Sequence, residues 1–137
     1  MSPPVSDRTR SRLARSFPLV QQRADLLIEH MERSLGATAE RNAPIGQSEL
    51  IAMMLVELLL RQAKHLVESG EMRGLADLAG EHEALGITGR HYSRFGDALV
   101  PIIRDLLGPT VPREVAGAWC DTFWAAVRAG QEAERVA

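Results

Sequence analysis

The sequence predicts an all-α fold, and two observations carry that prediction. Apolar residues recur at spacings of three and four along the chain, and β-branched residues are sparse and never alternate over the length of a strand. At 137 residues, 45% hydrophobic and 25% charged, the chain has the composition of one globular domain with a buried core. Residues 1–137 are read as that single domain, with 1–5 as a disordered tail. Ser6 is placed to cap a first helix running to about Phe17, where Pro18 interrupts it. A second segment from about Leu19 to Leu35 closes on Gly36, with Leu19, Leu26 or Leu27, Met31 and Leu35 facing inward. Residues 37–46 carry Asn42, Pro44 and Gly46 without an apolar period, so they form a connection, shortened or irregular, before a helix that starts near Gln47.

From position 50 to 60 nearly every residue is apolar, the pattern of a helix covered on more than one side, and this helix is expected at the centre. The stretch around Gly70 ends it. A shorter helix then places Leu75, Leu78, Ala79 and His82 on one stripe and stops at Gly86. Residues 89–107 form the next helix around Tyr92, Phe95, Leu99, Ile102, Ile103 and Leu106, with Pro101 expected to bend it. Gly108, Pro109 and Pro112 separate it from a last helix reaching about Arg135. The total is about six to seven helices, which periodicity alone assigns equally to an orthogonal helical fold or an up-and-down bundle.

Composition excludes several functions. The basic residues are fifteen Arg and one Lys against 18 acidic ones, a net charge of −2, so no nucleic-acid partner is expected. Arg8, Arg10, Arg12 and Arg15 read as a solvated face of the first helix. No apolar stretch approaches the ~20 residues that span a bilayer, and no secretory signal opens the chain, which places it in the cytosol without a membrane partner. Nucleotide-binding glycine loops, a zinc-protease motif and paired cysteines are absent. The single Cys120 reads as a small core residue, and Asp77, Glu81 and Glu83 as the wet side of a helix end.

His82 is the residue with chemical promise, because an inward-facing imidazole is either a satisfied core group or a metal ligand whose other nitrogen is held by an acceptor. Two residues could give that support. Tyr92, the one tyrosine, lies ten residues on, at the start of the next helix. Glu134 continues the last helix's stripe of Trp119, Phe123, Val127 and Gly130, since eleven residues from Phe123 return to within about 20° of the same face. The segment 81–87 (EHEALGI), the segment 91–99 (HYSRFGDAL) and Ala118-Trp119 together resemble the single-domain bacterial globins related to the globin domain of flavohaemoglobins. The resemblance covers about the last 60 residues. It implies haem b, with His82 as the proximal iron ligand and Tyr92 and Glu134 as a supporting network that increases electron donation.

The first half matches that family less well. Aligning residues 30–35 on the family's second helix puts Glu32 where a tyrosine usually binds O₂, and residues 37–46 lack the usual haem-packing phenylalanine. Gln47 is expected as the distal glutamine; the alternative register puts Leu50 there, with Met54 one turn on. In either register Leu50, Ile51, Met54 and Leu55 line the pocket, with Leu78 and Tyr92 on the other side. His65 or Met53 is a weaker candidate to approach the iron. The implied function is a haem globin that binds or reacts with O₂, NO or peroxide. Without the tyrosine donor, O₂ would be held more weakly and oxidation would be faster. Any sustained redox activity, of NO dioxygenase or peroxidase type, would need an external electron donor such as a separate reductase. Competing classes are a haem-free interaction or regulatory module and a haem enzyme acting on an organic substrate. A homodimer through the last two helices is also considered.

Overall fold

The computed structural model describes residues 5–36, 47–72, 82, 86–87 and 89–136. Among them there are five helices and no strands: α1 (Asp7–Gln22), α2 (Ala24–Gly36), α3 (Gln47–Ser69), α4 (Gly89–Leu107) and α5 (Arg113–Val136). That is fewer than the six to seven expected. One reason is that the short helix read around Leu75 and Leu78, and the connection at 37–46, lie outside the described residues. No described helix is long and apolar enough to cross a membrane.

Ser6 caps α1 as expected, its Oγ accepting from the Thr9 N–H at 3.2 Å. Val5, assigned to the tail, instead packs against the core, because the cap brings its side chain onto the bundle. Pro18 does not end the first helix. The helix runs through it to Gln22, since Pro18 is exposed and water can serve the carbonyl that loses its donor. The break falls at Arg23, whose N–H reaches the carbonyls of Leu19 and Val20. This shift of the break rotates the faces. Leu27 and Met31 are fully buried while Leu19 and Leu26 are exposed, so Leu19 does not belong to the inner face.

Helix α3 contacts α1, α2, α4 and α5, so its central place is as expected. Ile51, Ala52, Leu55, Val56, Leu58, Leu59, Ala63 and Leu66 are all buried, a wider apolar band than one stripe. Its outer edge is open: Leu50 is 44% and Met53 47% exposed. Helix α4 spans the predicted residues and continues through the exposed Pro101.

Glycines in the left-handed region stop the chain at three places: Gly70 (φ 76°) after α3, Gly86 (φ 82°) after the turn holding His82, and Gly108 (φ 88°) after α4. Two arginines serve helix ends from a distance. Arg10 donates from Nη2 to the Val67 carbonyl at 3.1 Å near the end of α3, and Arg23 donates to the Leu106 carbonyl near the end of α4. Arg10 is therefore not part of a merely solvated face. The aromatic core lies between α1, α4 and α5: Phe95, Trp119 and Phe123 are each fully buried. The Trp119 Nε1 donates to Ser16 Oγ at 2.8 Å, and Ser16 Oγ donates to the Arg12 carbonyl at 2.8 Å, so the indole's polar atom is satisfied inside.

Candidate functional site

Local chemistry fixes His82 first. Its residue is helical, Gly86 takes the left-handed conformation that L side chains resist, and the Ile87 N–H donates to the His82 carbonyl at 3.0 Å. This five-residue backward bond is the closure of a helix C-terminus, and Ile87, 5% exposed, buries beneath it. The imidazole is 1% exposed. Tyr92 comes from the first turn of α4, and its Oη lies 3.0 Å from His82 Nδ1, donor and acceptor exchanging with the ring tautomer. The ring centroids are 6.1 Å apart with the planes tilted by 31°.

Behind Tyr92 stands Phe123 of α5, with centroids 6.4 Å apart, and Phe123 in turn lies 4.6 Å from Phe95. The stripe read along the last helix is partly realised: Trp119, Phe123 and Gly130 are buried and Val127 is half-buried. Sequence reasoning placed Phe123 on that stripe without giving it a role. Three aromatics on the facing sides of two long helices were the available signal.

Of the residues proposed to line a pocket, Ile51 and Leu55 are in the buried core, and Met54 packs against it half-buried. Leu50 is too exposed to be part of that core and stands at its edge. Gln47 opens α3, but its side chain lies outside the described residues, as do all of Leu78 and the side chain of Glu134. Met53 cannot serve as an internal ligand. It lines a surface groove with Phe17, Gln21, Ala24 and Ile28, on the side of α3 turned toward α1 and α2.

Two further groups have shifted acidity. Burial, then the guanidinium groups of Arg94 and Arg90, hold the His91 pKa below its ordinary 6.5. Burial and then Asp121 push the Cys120 thiol up, and its Sγ lies 3.7 Å from the Gly96 carbonyl. A thiol held in its neutral form packs and does not attack, which agrees with the core reading of Cys120.

Among the described residues no group of three or more His, Cys, Asp and Glu side chains could hold a metal ion. A bare cation needs several such donors, whereas a metal already held by a macrocycle needs one well-oriented imidazole. The buried, hydrogen-bonded His82 fits the second case.

Helices without strands among the described residues, and a buried imidazole braced by the first turn of α4, are consistent with the globin-like class. No family model matches the chain. A curated relative, the Flavohemoprotein of Chromobacterium violaceum, is 28% identical over 131 residues, covering 87% of this chain. The chain spans about a third, 31%, of that relative's length. The similarity suggests a globin-like relationship.

Proposed function

We propose that the chain is a haem-binding, globin-like domain that holds haem b through His82 and binds or reacts with small ligands such as O₂, NO or peroxide. The observation that supports this reading is the His82 and Tyr92 pair, an imidazole 1% exposed with its Nδ1 engaged at 3.0 Å. In the tautomer with hydrogen on Nδ1, that hydrogen is donated to the Tyr92 oxygen and the lone pair is on Nε2, the form that binds a metal. Tyr92 and, in this proposal, Glu134 are positioning residues that fix the ring and raise its basicity. Gln47, Ile51, Met54, Leu55 and Leu78 are proposed to line the opposite wall, where aliphatic packing excludes water, with Leu50 at its solvent edge. When bound, haem would supply an iron able to take up a small ligand and exchange electrons with it. Sustained turnover would need an external electron donor, such as a separate reductase. The haem in the relative's name also supports the reading.

Hemin titration into the purified chain tests it. A Soret band that is lost in His82→Ala is the expected result. Tyr92→Phe and Glu134→Gln should retain the band and change the rate of reaction with peroxide. A well-folded, colourless protein that takes up no hemin would overturn the reading in favour of a haem-free interaction module.

A further inference from the structure

The rings that begin at His82 continue past its hydrogen-bonded tyrosine to the molecular surface. From Tyr92 the path passes to Phe123 at 6.4 Å and from Phe123 to Trp124 at 5.4 Å between centroids, the last pair meeting edge to face at 71°. Trp124 is half-buried, and it walls a surface cavity of about 550 Å³ together with Val5, Ser6, Thr9, Asp121 and Arg128. Gly96 on α4 permits this placement. A Cβ at that position would stand 2.4 Å from the indole, so the ring lies directly on the α4 backbone. One end of the path is thus a fully buried imidazole, and the other is an indole that a small solute can touch.

Phenol and indole are the side chains most readily oxidised by one electron. Oxidisable rings along a path break one long electron step into shorter ones, and each is faster because tunnelling falls steeply with distance. We propose that Trp124 is a surface relay residue, through which a small phenolic or aromatic-amine reductant in this cavity passes electrons to a haem held by His82. Tyr92 and Phe123 span the interval. The inference rests on the haem reading above. The reaction balances as one hydrogen peroxide and two phenols giving two waters and two phenoxyl radicals. Each phenol breaks its O–H bond, its proton passes through solvent to the peroxide oxygens, and its electron enters at Trp124. Trp124 gives one electron inward and regains one from the phenol, so it is unchanged over a cycle. Phe123 acts as a spacer and is not itself oxidised. Asp121 and Arg128 line the same cavity.

Trp119 is an internal control. It is fully buried, pairs with Phe17 at 6.3 Å, and has its Nε1 on Ser16. The test uses the full chain loaded with hemin, and the His82-dependent Soret band is recorded before peroxide is added. Hydrogen peroxide without a reductant is then expected to give an indolyl radical in freeze-quench electron paramagnetic resonance, and an added oxygen atom on the Trp124 peptide but not on the Trp119 peptide. A phenol such as guaiacol should erase both. Trp124→Phe should keep the Soret band and lose both. Hemin bound normally with Trp124 unlabelled, oxygen found on Tyr92 or Cys120 alone, or an indolyl signal surviving in Trp124→Phe would overturn the relay and leave the haem reading standing. Absence of the His82-dependent band overturns both, and it is read before the peroxide step.

Discussion

Around His82, the α4 and α5 side of the molecule is assembled from rings and polar atoms held in register, whereas the α2 and α3 side is assembled from aliphatic chains. On the first side are the 3.0 Å contact of His82 Nδ1 with Tyr92, the Phe95, Phe123 and Trp124 rings, and an indole seated on Gly96. On the second are Leu27, Met31, Leu35, Ile51, Leu55 and Leu59, whose buried apolar side chains pack without a preferred direction. Directional contacts penalise any change of geometry, while aliphatic packing penalises chiefly lost volume. The side that braces an imidazole should therefore tolerate less substitution than the side that merely fills space.

The contrast is most directly broken at Phe123. Truncation to Ala removes the ring shared by Tyr92, Phe95 and Trp124, and is expected to cost about 3–5 kcal/mol in chemical denaturation. A loss below about 1 kcal/mol would show that the rings are not a packed unit. Next comes Gly96→Ala, which drives a methyl into the Trp124 indole and should cost about 1–3 kcal/mol, with a shift in Trp fluorescence. Across the molecule, Leu55→Met keeps its volume in the aliphatic wall and should cost less than about 1.5 kcal/mol. Met53→Gln, on the exposed edge of the same helix, should stay within about 0.5 kcal/mol of the parent. If Leu55→Met proves more damaging than Gly96→Ala, the proposed asymmetry is reversed.

The smallest expected effect is electrostatic. In the folded chain His91 resists protonation below its ordinary 6.5, whereas the unfolded chain takes up the proton near that value. Protonation therefore favours the unfolded state. The stability His91 contributes is present above pH 6.5 and declines as the pH falls below it toward the depressed folded value. Denaturant midpoints measured on either side of pH 6.5 should show a slope that His91→Gln flattens. An unchanged slope would assign the acid sensitivity elsewhere.

Much of this architecture was legible because its signals are local. Gly70, Gly86 and Gly108 each mark a stop, and Ser6 marks a start, by conformational or hydrogen-bonding needs that the residue itself carries. The ten-residue interval from His82 to Tyr92 was also informative, because a left-handed Gly86 lies between the two residues that meet. Features set by distant partners were not legible. The α1 helix passes Pro18 and breaks at Arg23, whose guanidinium meets Leu106 of α4, and that displaced break decides that Leu27 and not Leu19 turns inward. The relay's geometry depends on a glycine and an indole on two different helices, a pairing that no spacing within either helix reveals.

The arginine contacts with α3 and α4 also bear on how the chain assembles. Arg10 and Arg23 serve carbonyls that lie 57 and 83 residues later in the chain. Neither guanidinium has its carbonyl to fasten to until Val67 and then Leu106 have been made. Both contacts close long loops, so they lock only after distant segments have come together.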